Sequence, residues 1–304
     1  MNANPMLKAL GLSDQDRAVL IHADDIGMCH ASLAAYAELA VDGVISSAST
    51  MVPCPWFQAT TQFCAAHTDL VDMGVHVTLN AEWHSGYRWG PVSTRAPESG
   101  LIDEQGYLHH TVEAVEAQAE PAAVHREIVA QLRMALDAGI DVTHMDTHMG
   151  TVFYGGFLES YLRAATEAGV LPFMVRKDAA VLQAMGFSQE RAEVLAGHIA
   201  GLEAQGLPMF DEVSFVPFSS IDAHYDQTVH VLSSLKPGLT YLIIHPSTDT
   251  PELRAILPGG WQNRVADYQV FMRQDLRRYL NAEGIHLTGW REIREIAHVA
   301  SGQV

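Results

Sequence analysis

The run Ile21-His22-Ala23-Asp24-Asp25-Ile26-Gly27 ends an apolar segment on two adjacent carboxylates. Like charges side by side do not both ionise cheaply, and a bound cation is what relieves them. Three later stretches carry groups suited to such a cation: His76 in "GVHVTL", the series His144, Asp146 and His148 in "THMDTH", and His245 in "IIHP". Two imidazoles and one carboxylate form a familiar open ligand set for hydrolytic zinc, which lowers the pKa of water to about 7. The second carboxylate is then free to accept a proton, and His245 on the far side can protonate a leaving group. Together these groups describe metal-assisted hydrolysis of an acyl or amide bond.

For residues so far apart in sequence to meet, the fold must bring several strand ends to one rim. Apolar runs of strand length do alternate with stretches of helical period. Strands are predicted at 18–23, 44–52, 70–79, 141–148, 172–176, 209–217 and 239–245, with a short last one at 285–289. Helices are predicted at about 30–43, 56–67, 120–139, 154–169, 224–235, 264–283 and 290–300, with further helical stretches between 178 and 206. Repeated βα units with continuous apolar strands imply a parallel sheet covered by helices, and seven or eight of them favour a (β/α) barrel, TIM-like, with seven strands or incomplete closure. No linker divides the chain, so residues 1–304 are read as one domain, with a long loop insertion at about 80–112 that holds a small hairpin at "GLIDEQGYLHH". In such a barrel the active site lies at the carboxyl ends of the strands. That rule places Asp24 and Asp25 at the end of the first strand, His76 near the end of the third, Arg176 at the end of the fifth and His245 at the end of the seventh. Strand alternation puts His144, Asp146 and His148 on one face of the fourth.

Composition narrows the partners. With 36 acidic against 18 basic residues, the net charge of −18 repels phosphate backbones and anionic headgroups, so neither nucleic acid nor a membrane is expected. The cysteines, Cys29, Cys54 and Cys64, form no CxxC pair, and the amino terminus lacks a basic stretch followed by a long apolar one. A cytoplasmic location is the expectation, with homo-oligomerisation left open.

The same residues carry a resemblance. "HADDIG" resembles the NADDFG-type opening of the YdjC/ChbG-like carbohydrate deacetylases, "GVHVTLN" their G-x-H-x-x-L segment, "THMDTH" their T-H-x-D-S-H strand and "IIHP" their later H-P motif. "DYQVFMRQDLRRYLNAEGIHLTGWREI" is similar to their carboxyl-terminal helix and strand, so the likeness spans Ile21 to about Ile293 in the same order. It implies a βα-barrel variant and metal-dependent removal of acetyl from N-acetylated amino sugars such as chitooligosaccharides. Carried over by position, it implies that Asp25, His76 and His148 bind one divalent ion, zinc or magnesium first, that Asp24 is the base and that His245 is the acid. His144 and Asp146 stay open between ligation and support of a ligand. Departures from the pattern are His22 for Asn, Ile26 for Phe, "MGTVF" in place of further histidines after His148, and "STDTPELRAILPGGW" after His-Pro. They fall where a substrate would be distinguished. Arg176 is a candidate grip on a substrate hydroxyl. Trp83 is a candidate sugar platform, with Tyr87 and Trp89 in the same loop. Rival expectations are a metal-dependent sugar isomerase or aldolase on a similar barrel, and a non-catalytic sugar-binding or regulatory protein.

Overall fold

The computed structural model describes residues 3–83, 86–184, 188–218 and 220–301. His84, and residues 185–187 within the predicted helical stretch, lie outside the described residues. The strands are β1 (Arg17–Ile26), β2 (Ser47–Thr50), β3 (Met73–Val77), β4 (Val142–Thr147), β5 (Leu171–Pro172), β6 (Glu212–Phe215), β7 (Gly238–Ile244) and β8 (Ile285–Leu287). Seven of them run side by side in the order β5-β4-β3-β2-β1-β7-β6, every pairing parallel. Among the described residues only one isolated bridge, Val175 to Phe210, joins the two outer ends. The sheet is therefore an open half-barrel, an incomplete (β/α) barrel, and the expected fold class holds in its seven-stranded form. β8 pairs with the first three residues of β1, on the edge whose later residues pair with β2.

Alternation along the strands sorts the side chains into two layers. Val19, Ile21 and Ala23 of β1 join Val75 and Val77 of β3, Met145 of β4 and Leu242 and Ile244 of β7 in the core between sheet and helices. Ala18, Leu20, Leu239, Tyr241, Phe210 and Phe173 join Trp290 in a separate interior core. By the same parity His22, Asp24, Ser47, Ser49, His76, His144 and Asp146 belong inside. The concave face is thus apolar at one end and polar at the other.

The carboxyl-terminal helix Trp290–Ser301 closes the apolar end. The Trp290 ring is fully buried and stacks on His144 at 4.7 Å with 9° between planes. Asp72 fixes that helix by accepting from the Arg291 backbone N–H at 2.8 Å and from Thr143 Oγ1 at 2.6 Å. Gly74 is required in β3 because a Cβ there would lie 2.5 Å from the His144 ring.

Several boundaries differ from the sequence expectation. The long helix at 264–283 is two helices, Trp261–Phe271 and Gln274–Ala282, because Arg273 takes an extended conformation between them (φ −78°, ψ 125°). Short helices at Pro5–Ala9, Val112–Gln118 and Pro251–Ile256 were not expected; two begin with proline, whose missing N–H is harmless at a helix start. β4 stops at Thr147, and His148 opens a 3-10 turn, His148–Phe153, in which Met149 and Gly150 are left-handed. The expected hairpin in the 80–112 loop reduces to an antiparallel bridge between Ile102 and Leu108.

Candidate active site

Adjacent strand residues point to opposite faces, so Asp24 and Asp25 reach one cavity only if the strand is broken between them. It is broken there. The register of β1 on β2 shifts between Ala23 and Ile26, and Asp25 adopts φ +61°, one of two non-glycine residues with positive φ among those described. Such strain in a short polar residue marks a side chain being re-aimed. Met149, the other, directly follows His148.

The result is a triangle of ligand-type atoms. His76 Nε2 lies 3.4 Å from Asp25 Oδ1, His148 Nδ1 lies 3.2 Å from the same oxygen, and the two imidazole nitrogens are 3.3 Å apart. Bonds of roughly 2.0–2.1 Å in a tetrahedral zinc site set its ligand atoms about 3.3–3.4 Å from one another. All three residues are buried, and Asp25 Oδ1 has no hydrogen-bond partner among the described residues. An orphaned buried carboxylate oxygen facing two imidazole nitrogens fits a divalent cation, and this His/Asp group is a possible metal site.

Each imidazole is backed on its other nitrogen. His76 Nδ1 is 2.8 Å from Asp146 Oδ1, and His148 Nε2 is 2.8 Å from Glu82 Oε2. Asp146 also meets Ser49 Oγ at 3.0 Å, His22 Nε2 at 3.0 Å and the Tyr241 hydroxyl at 3.1 Å. Its oxygens face donor-capable groups, and it backs His76, while two further buried groups that include it could also hold an ion. The electrostatics agree: burial opposes the Asp146 charge, but His76 and His22 outweigh it and hold the carboxyl well below the usual range. Burial likewise opposes charge on His148, yet Glu82 and Asp25 raise it to about 9. His76 is raised well above its ordinary value against burial by Asp146 and Asp24. Asp25 is held well below the carboxylate range, where burial loses to the Arg264 guanidinium and the two imidazoles.

Asp24 is placed differently. It is 7 % exposed, and among the described residues its Oδ1 has no hydrogen-bond partner and its cation-capable neighbours are His22 Nε2 at 3.4 Å and His76 Nε2 at 3.9 Å. Burial, reinforced by Asp146 and Asp25, raises its carboxyl well above the ordinary range. The two carboxyls of the pair are therefore shifted in opposite directions.

The remaining expected residues divide. His245 follows β7, and its backbone N–H donates to Asp267 Oδ2 at 2.9 Å. Burial lowers its imidazole to about 4 although Asp25 pulls the other way. Trp83 lines the site as a buried wall, its ring 5.7 Å from that of His148 and 4.7 Å from that of Trp89. Arg176 is not brought to the cluster. Its guanidinium bridges Glu203 and Asp211, each at 2.7 Å, and Asp211 also packs against Gly238 at the start of β7. His144 lies a layer deeper, against Trp290, Thr143 and His22, where burial holds it well below its ordinary value.

Four participants escaped sequence reasoning: Glu82, Arg264, Ser49 and His22. Arg264 Nη2 donates to Asp25 Oδ2 at 2.7 Å across 239 residues of chain, a distance no spacing rule reaches. Glu82 belongs to an irregular loop without period. Ser49 and His22 were legible only as inward-facing strand positions one layer below the rim.

Comparison with known proteins places this geometry in a family context. A family model described as YdjC-like protein matches residues 18–282. The chain is 32 % identical over 298 residues to a carbohydrate deacetylase of Thermus thermophilus, covering 95 % of this chain and 98 % of that protein. It is 21 % identical over 272 residues to a carbohydrate deacetylase of Thermoanaerobacter pseudethanolicus, covering 90 % and 97 %. Among solved structures, a protein of Enterococcus faecalis V583 provisionally named for cellobiose-phosphate cleavage superposes with a TM-score of 0.70 at 19 % identity, covering 91 % of this chain and 99 % of that one. That likeness is one of fold. Among the described residues no helix is long and apolar enough to cross a membrane.

Proposed function

The chain belongs to the YdjC-like protein family, and on that premise we propose that it is a metal-dependent carbohydrate deacetylase hydrolysing the acetyl amide of an N-acetylated amino sugar. The observation that carries the reading is the buried triangle of Asp25 Oδ1, His76 Nε2 and His148 Nδ1, with sides of 3.2 to 3.4 Å and a second carboxylate, Asp24, beside it. A divalent ion held by Asp25, His76 and His148 would polarise the acetyl carbonyl and lower the pKa of water. The two imidazoles and the tetrahedral spacing suit zinc ahead of magnesium, which prefers oxygen ligands in an octahedron.

The chain's own groups supply the rest. Asp24 takes the proton of the attacking water, its raised affinity for that proton being what a general base needs. His245 passes to the departing nitrogen the proton that Asp24 takes from the water. Asp146 and Glu82 hold the two imidazoles in the tautomers that aim the correct nitrogens inward. Trp83 offers a flat apolar wall for a sugar ring.

The test is acetate release from a panel of N-acetylated sugars, with and without chelator and with single divalent ions restored. We expect release from at least one sugar, lost on chelation and regained with one ion. Silence across every sugar and every ion rejects the proposal.

A further inference from the structure

Arg264 sits on the helix Trp261–Phe271, and its side chain is only 11 % exposed. One arm of the guanidinium is spent on Asp25. The other, Nη1, is buried and has no hydrogen-bond partner among the described residues. A charged donor left unpaired in the interior is costly, and natural proteins seldom leave one without a purpose. Its surroundings are those of the site: the Trp83 ring lies 5.7 Å from the guanidinium carbon, and Glu82 and His245 are within electrostatic reach.

We propose that Arg264 Nη1 receives the acyl oxygen of the substrate and stabilises the charge that grows on it, a catalytic role beyond holding Asp25. The inference rests on the deacetylase reading. As the water oxygen bonds to the acyl carbon, the carbonyl π pair moves onto the acyl oxygen and the water proton passes to Asp24. On collapse the pair returns to the carbon–oxygen bond, the carbon–nitrogen bond breaks, and the nitrogen leaves with the proton that Asp24 took from the water, passed on through His245. The acyl oxygen is most negative midway, so a fixed cationic donor grips it hardest there. A planar fork pinned through one arm by a carboxylate is well suited, since its second arm costs no reorganisation.

The experiment compares wild type with Arg264→Lys, which keeps a cation for Asp25 but lacks the fork, and with Arg264→Met. Three quantities are measured: metal affinity by chelator competition, acetate affinity of the metal-loaded protein by calorimetry, and kcat and KM. For Arg264→Lys we expect metal affinity within about threefold of wild type, acetate binding at least tenfold weaker, and kcat lower by about 10²–10³ with little change in KM. If activity returns to wild type in excess metal, Arg264 does no more than hold Asp25 and the proposal fails. Unchanged acetate binding together with unchanged kcat also overturns it, while leaving the deacetylase reading intact. The acetate measurement needs no turnover, so a chain that deacetylates no sugar still decides the role of Arg264. If Arg264→Met does not fold, the lysine variant carries the comparison.

Discussion

His148 Nδ1 and His76 Nε2 stand 3.3 Å apart, and the far nitrogen of each ring rests 2.8 Å from a carboxylate, Glu82 for one and Asp146 for the other. In the proposed metal site this paired backing would fix both tautomers and make each imidazole a stronger ligand. Glu82→Gln keeps the shape and removes the charge. Metal affinity should fall about 10–100-fold, read by competition with a chromophoric chelator, while the fold measured by circular dichroism stays unchanged.

The two carboxylates of the opening motif should separate cleanly by function. Asp24→Asn removes the proton acceptor and leaves Asp25, His76 and His148 in place. Turnover should drop by about 10²–10⁴-fold, with metal content near wild type in parallel elemental analysis. A variant that keeps most of its activity would reject Asp24 as the base.

The histidines of "THMDTH" should separate as well. His148→Ala removes one corner of the triangle and should strip the metal at micromolar concentrations of protein. His144→Ala should retain it, because that ring packs on Trp290 and its Nδ1 meets Thr143 Oγ1 at 2.9 Å, away from the triangle. The cost there is stability, about 1–3 kcal/mol for deleting a buried, stacked ring and leaving a cavity in its place, read by urea denaturation of both variants. Full metal occupancy in His148→Ala would make His144 the first suspect as the missing ligand.

Protons and metal compete for the same nitrogens. His148 is raised to about 9 and His76 is raised as well, so the metal-free protein at pH 7 holds protons that a cation must displace. Metal binding at pH 7 should therefore release protons, seen as a calorimetric heat that varies with the ionisation enthalpy of the buffer. The stability linkage runs the same way. A histidine whose folded pKa exceeds its unfolded value of about 6.5 stabilises the fold fully below pH 6.5, and that contribution is lost as pH rises through about 9. With chelator present, Tm should decline between pH 6.5 and 9.5. Metal-loaded protein should show a flatter profile, and equal slopes would argue against His148 as a ligand.

The sequence by itself determined the repeating βα order and the placement of Asp24, Asp25, His76 and His245 at strand ends. It could do so because apolar periodicity is local and because a parallel sheet sends its variable loops to one rim. It said nothing of Glu203 and Asp211, which pair with the strand-end Arg176. Tertiary structure alone decided that Asp25 turns inward, since a left-handed residue at a register shift cannot be read from strand alternation. It alone also joined Arg264 to Asp25, Glu82 to His148 and Trp290 to His144, pairs whose members lie on elements far apart in the chain. Local pattern chooses the elements and the face each side chain takes, whereas orphaned atoms, charge pairs and pKa shifts arise only when distant elements exclude water from one another.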